Sequence, residues 1–154
     1  MQGYNVRVAE RSDLADIASF NIAMAMETES VQLEKDVITN GVKAVFDDPK
    51  KGFYLVADNG NEVIGCLLIT FEWSDWRNGY FWWIQSVFVK KEHRRKGVYK
   101  NMYSFIKDLA KNETSRIAGI RLYVEKDNST AQNTYTKLQM YKTQYLLFES
   151  IDLR

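Results

Sequence analysis

Apolar positions along the chain switch between two periods. Tyr4, Val6 and Val8 alternate with polar neighbours, the period of a short strand with one buried face. From Leu14 the spacing lengthens: Leu14, Ile17, Ala18, Ile22 and Ala25 share one side of a helix, with Ser12 as its expected cap and Asp13 in its first turn. A second helix is predicted over 33–46, with Leu33, Val37, Val42 and Val45 on one face. It ends at Asp47-Asp48-Pro49, because the residue before a proline avoids helical backbone. Strands are predicted over 53–57, 62–73 and 80–89, joined by turns holding Asn59-Gly60 and Asn78-Gly79, a pair that favours hairpins. A helix over 98–112, a strand over 117–124, a helix capped at Asn128 and reaching about Leu138, and a strand over 143–149 complete the chain.

The order β-α-α-β-β-β-α-β-α-β predicts an α/β sheet of mixed direction. The two hairpins make its first half antiparallel, and helical crossovers make its second half parallel. The sequence shows no repeat, linker or low-complexity stretch, and 154 residues fit one domain, 1–154.

One junction carries more chemistry than the others. The apolar run from Ile84 to Val89 ends in Lys90-Lys91-Glu92-His93-Arg94-Arg95-Lys96-Gly97, and helical spacing resumes at Val98, Met102 and Ile106. A helix start exposes unpaired N–H groups and the positive end of the helix dipole, which together attract anions. Arg94, Arg95, Lys96 and Lys100 surround this start, and Gly97 lets a ligand approach the backbone. A solvated surface turn or a nucleic-acid patch would use the same residues. The strand–turn–helix context favours a nucleotide cofactor.

Composition narrows the field. Net charge is +1, so the basic character is local: Lys90, Lys91, Arg94, Arg95, Lys96 and Lys100 are six of 21 lysines and arginines. Cys66, the single cysteine, permits no internal disulfide and no metal-ligand cluster, and its apolar surroundings mark it as a core residue. No apolar run reaches the roughly 20 residues of a membrane span, and the N-terminus lacks a signal-like stretch, so a cytoplasmic protein is expected.

Arg94-Arg95-Lys96-Gly97-Val98-Tyr99 resembles motif A of the GNAT superfamily of acyl-CoA-dependent N-acetyltransferases, Gln/Arg-x-x-Gly-x-Gly/Ala, with Tyr99 at the place of the last small residue. Asn128, Ala131 and Tyr135 match a second family pattern, Asn-x-x-Ala-x-x-x-Tyr, and the order of elements is that of the GNAT fold. The resemblance implies a mixed six- to seven-stranded sheet with helices on both faces. It implies acetyl-CoA as co-substrate, with no metal. The pyrophosphate would lie over Arg94, Arg95, Lys96, Gly97, Val98, Tyr99 and Lys100, and the pantetheine arm beside Val87 and Val89, with Asn128 among the cofactor-binding residues.

Tyr135 takes the place of the general acid. Where many relatives carry a glutamate on the strand before motif A, this chain has Gln85, so Glu72 or Asp75 acting through water are the candidate bases. Glu27 and Glu29 are read as a charged helix end or as a site for a cationic substrate, and His93 as a bystander. The expected activity is transfer of an acetyl group to a primary amine of a small molecule, loosely like the polyamine- and diamine-acetylating members. Alternatives are a non-catalytic acyl-CoA-binding module and a nucleic-acid-binding domain. The expected partner is a small-molecule amine, without nucleic acid or membrane and with a homodimer allowed.

Overall fold

A computed structural model describes residues 3–153. The elements are β1 (Asn5–Val8), a 3₁₀ turn (Arg11–Asp13), α1 (Leu14–Glu29), α2 (Lys35–Asp47), β2 (Phe53–Asp58), β3 (Val63–Ser74), β4 (Gly79–Val89), a second 3₁₀ turn (Lys91–His93), α3 (Val98–Lys111), β5 (Ile117–Arg121) and α4 (Ser129–Lys137). They fall into two compact units, one ending at Leu122 and one beginning at Tyr123. No helix among the described residues is long and apolar enough to cross a membrane.

The first unit holds a five-stranded sheet in the order β1-β2-β3-β4-β5. Pairing is antiparallel through β4, and β5 runs parallel to β4. Both faces of the central strands are covered. Ile17, Ala18 and Phe20 of α1 and Val42 of α2 pack with Tyr54, Val56 and Cys66 on one face. Strand alternation sends Leu55 and Leu67 to the other face, where α3 meets β1 and β2 and buries Met102 and Ile106.

Two details of the helices differ from the pattern. In α2 the inward residues are Ile38, Val42, Val45 and Phe46. Val37, expected inward, is exposed, because the helix starts at Lys35 and its apolar stripe is set from there. Ser12 does not cap α1. It lies in the 3₁₀ turn, where Asp13 and Glu10 form the reciprocal box. The reason is electrostatic: Arg7 of β1 donates to both carboxylate oxygens of buried Asp13, at 2.8 and 3.0 Å, and to Asp58 of β2 at 3.0 Å. Asp13 also accepts the Glu10 N–H at 2.7 Å.

The strand expected over 143–149 is not formed. Tyr145, Leu146, Leu147 and Phe148 are 71–90% exposed and belong to no strand. Apolar alternation supplies strand propensity, but a strand exists only where a neighbouring edge accepts its hydrogen bonds. Among the described residues the sheet therefore has five strands, not six or seven, while the α/β class and the helices on both faces are as expected.

Burial pushes the Asp13 carboxyl up, but Arg7 and the Glu10 amide outweigh it and hold the group below its ordinary range. A depressed carboxylate pKa adds stability above the unfolded value and loses it as pH falls through the folded one. Asp13→Asn is therefore expected to lower unfolding free energy near neutral pH by about 2 kcal/mol, reduced from a fully buried pair because Arg7 is partly exposed. Urea denaturation at pH 7 and pH 3 checks this, the gap between variant and wild type closing at the lower pH.

Candidate active site

The site is built on the second half of β4. Gly65 faces Val89 and Cys66 faces Phe88, but the next pair is Leu68 with Gln85. Ser86 and Val87 thus stand together opposite Leu67, which is a β-bulge. Ser86 takes φ 52°, a left-handed conformation uncommon for a residue with a side chain. The parallel partner stops early: β5 pairs only with Tyr80, Phe81, Trp82 and Trp83. From Ile84 onward, β4 is bonded to β3 alone among the strands. The backbone at Ser86–Val87 is turned out of register on that side.

The strand then feeds the basic turn. Arg95 (φ 60°) and Gly97 (φ 82°) are both left-handed, which reverses the chain before α3. A Cβ placed on Gly97 would meet nothing within 4 Å, so glycine is needed here for its backbone angle, and the space above it is open. The first helical hydrogen bond runs from the Asn101 N–H to Gly97 O at 3.0 Å. The N–H groups of Val98, Tyr99 and Lys100 precede it and point out of the helix start. Val98 is buried and fixes the helix on the sheet. The Tyr99 ring lies along the helix against Tyr103, centroids 6.4 Å apart.

Of the six clustered cations, two are consumed by structure. Lys90 pairs with Glu62. Arg94 donates from Nε to Val89 O at 2.7 Å and from both terminal nitrogens to Glu27 at 2.5 and 2.9 Å, with its guanidinium 5.5 Å from the Phe88 ring centre. Arg94 thereby ties the basic turn to β4 and to the end of α1. The same bond holds the Glu27 carboxyl below its usual range and the Arg94 guanidinium above its own. Arg95, Lys96 and Lys100 are exposed and form no ion pair among the described residues. An open groove of about 490 Å³ runs beside this anchor, lined by Met26 and Glu27 of α1, Phe88, and Lys90, Lys91 and Glu92 of the turn. Glu62, Glu92 and His93 present ligand atoms within 4.8 Å of one another, but both carboxylates are exposed and Lys90 already supplies the positive charge.

On the α1 side of the sheet, a row of polar and aromatic side chains continues beyond the core. Gln85 donates from Nε2 to Thr70 Oγ1. Glu72 Oε1 accepts from Trp83 Nε1 at 2.8 Å and from Arg121 at 3.0 Å. Arg121 lies 3.5 Å from the Phe81 ring centre, and that ring covers Gly119, where any Cβ would come within 2.8 Å. Asp75 stands apart in the β3–β4 turn, where its carboxylate accepts the Trp76 N–H at 2.8 Å. Cys66 is fully buried, and burial pushes its thiol up to about 12, so it is no nucleophile near neutral pH.

In the second unit, Asn128 caps α4, its side chain accepting the Ala131 N–H at 3.1 Å. Tyr135 follows on the same helix, half-buried, and burial raises its phenol above the ordinary value.

Sequence reasoning named the turn and its glycine. It missed the bulge at Ser86, the Arg94–Glu27 pair, and the Trp83–Glu72–Arg121 chain.

The fold has counterparts in known proteins. The Acetyltransferase (GNAT) family matches residues 20–140. The chain belongs to this family, whose members share a fold that binds acetyl-CoA. Among solved structures, a possible acetyltransferase from Clostridium difficile 630 is 44% identical, with 98% of this chain and 99% of that one covered and a TM-score of 0.90. A predicted acetyltransferase with acetyl-CoA from Clostridium acetobutylicum shares the fold at 18% identity, 96% of each chain covered and a TM-score of 0.77. An aminoglycoside N-acetyltransferase in complex with CoA does so at 12% identity, 97% and 95% coverage and a TM-score of 0.76. No curated protein matches the chain by sequence.

The Arg94 anchor makes a discriminating prediction. If Arg94 acts by holding the turn, Glu27→Ala loosens it and weakens acetyl-CoA binding several-fold, about 1 kcal/mol, although Glu27 repels phosphate. If Arg94 instead serves the phosphates, freeing it from Glu27 strengthens binding. Calorimetric titration with acetyl-CoA reads the sign.

Proposed function

We propose that the protein is an N-acetyltransferase that moves the acetyl group of acetyl-CoA to a primary amine of a small molecule. The observation that carries the reading is the continuous path from the bulge at Ser86–Val87 to the open helix start at Gly97. In that reading the pantetheine arm bonds to β4 backbone at Val87 and Val89. The Val89 carbonyl keeps a second lone pair beyond the one Arg94 uses. The pyrophosphate takes the N–H groups of Val98, Tyr99 and Lys100 at the positive end of α3, with Arg95, Lys96 and Lys100 as counter-charges. Stacking on Tyr103 keeps the Tyr99 ring on the helix and its amide in place for the phosphates.

The amine nitrogen attacks the thioester carbon, the C–N bond forms and the C–S bond breaks. The ammonium product loses a proton and the thiolate gains one. The resemblance assigns Asn128 to cofactor binding and makes Tyr135 the donor to the departing sulfur. Burial raises the Tyr135 phenol, which keeps it protonated but makes full proton transfer to a thiolate uphill, so its main contribution is a hydrogen bond to developing charge.

The base is the weak link in the residue set. Gln85 is an amide bonded to Thr70 and takes no proton. Glu72 receives both of its hydrogen bonds on Oε1, which leaves Oε2 for a water or an ammonium group. Asp75, capping its own turn, is the second candidate.

An alkyl amine is neutral about once in 2,500 molecules at pH 7, so an enzyme without an efficient base depends on that fraction. The logarithm of kcat/KM for the amine should rise with a slope near one from pH 7 to 9. Gln85→Glu should raise the rate near pH 7 and flatten the slope. Thiol release measured across that range with a panel of diamines, amino acids and aminoglycosides checks both. A flat wild-type profile shows that a working base exists, and acetyl-CoA binding without thiol release identifies a non-catalytic module.

A further inference from the structure

Between the bulge and the β3–β4 turn, the α1 side of the sheet carries a line of paired side chains. Leu68 faces Gln85, Thr70 faces Trp83, Glu72 faces Phe81 and Ser74 faces Gly79. Residues two apart on a strand share a face, so Gln85, Trp83 and Phe81 lie on one track. At about 3.3 Å per residue, Phe81 is about 13 Å from Gln85 along β4.

The two ends of the track differ in charge. At the inner end Gln85 spends Nε2 on Thr70, and its carbonyl Oε1 can accept a hydrogen bond but not a proton. At the outer end the Glu72 carboxylate is matched by Arg121 at 3.0 Å. Arg77 folds back from the turn over the same face. Its Nη1 donates to Ser74 Oγ at 3.4 Å, and its guanidinium lies 5.0 Å from the Phe81 ring centre. Asp75 turns its carboxylate to the Trp76 N–H, and Arg77 forms no ion pair among the described residues. The outer end therefore presents one exposed guanidinium whose charge no neighbouring acid balances.

These ends select an acceptor. The guanidinium fork fits a carboxylate, and its single charge matches one carboxylate better than a dianionic phosphate. An inner end without a proton acceptor favours an amine that is already neutral in useful amount. A peptide α-amine is neutral in about one molecule in ten at pH 7, against about one in 2,500 for an alkyl amine. Three extended residues span about 10 Å, and the hydrogen bonds at the two termini cover the remainder.

We propose that the acceptor is a short peptide of about three residues, its N-terminal nitrogen at Gln85 and its C-terminal carboxylate on Arg77. This inference rests on the acetyl transfer proposed above and names its substrate class. Trp83 lines the interval between the two ends, on the face that both share.

Thiol release at pH 7 compares trialanine, trialanine with an amidated C-terminus, and an alkyl diamine of the same length. Trialanine should exceed both in kcat/KM by about tenfold or more. Arg77→Gln should bring trialanine and its amide to within about twofold of each other. Equal rates for acid and amide, or a preference for the diamine, overturn the proposal and leave acetyl transfer standing. Affinity supplies a readout without turnover: in an NMR titration of the CoA-bound protein, trialanine should bind about tenfold tighter than its amide. Equal affinities overturn the peptide assignment, whereas the absence of thiol release with every amine overturns the transferase reading.

Discussion

β4 has two incompatible tasks, and the rest of the first unit follows from how they are reconciled. Over Tyr80–Trp83 it is an interior strand, with β3 on one side and β5 on the other. Over its last residues it must leave one edge open and deliver the chain to a helix start. The extra residue at Ser86–Val87 separates the two regimes. It adds local twist, breaks the register with β3, and places left-handed backbone at Ser86 where a regular strand would continue. Such strain persists only where the surroundings enforce it, and here Cys66, Leu68 and Phe88 in the packed face above do so.

The basic turn is held by charge as much as by backbone. Arg94 looks like a phosphate ligand in the sequence but is spent on Val89 O, Glu27 and the Phe88 ring. Its charge is thus internally balanced, and the turn is a fixed support. The positive potential over the helix start comes from the unpaired amides of α3 and from Arg95, Lys96 and Lys100. That division would suit a pyrophosphate: fixed amides would set its position, and the exposed Arg95, Lys96 and Lys100 would neutralise it.

How legible this was in the sequence depended on range. Local signals worked: Pro49 ended α2 with Asp48 extended, the Asn-Gly pairs made both hairpins, and Asn128 capped α4. Features made by residues far apart did not show. Glu27 and Arg94 are 67 positions apart, and the Arg121–Glu72 bond spans 49. The Ser12 cap failed because Arg7, six positions before Asp13, draws that carboxylate into a different network. The bulge has no compositional mark, since Ser86 adopts a backbone that glycine would have advertised. The segment over 143–149 shows the opposite error: its apolar alternation predicts a strand, but a strand forms only where an edge accepts its hydrogen bonds, and none among the described residues pairs with it.

The account rests on acetyl-CoA lying along β4 and over the start of α3. Backbone amide chemical shifts, followed by NMR as acetyl-CoA is added to the folded protein, test this directly. The largest changes should fall on Val87 and on Gly97 through Lys100, with the β3–β4 turn around Asp75 and Trp76 little affected. Large shifts confined to that turn or to the Lys90–Glu62 pair, with the α3 amides unmoved, would contradict it.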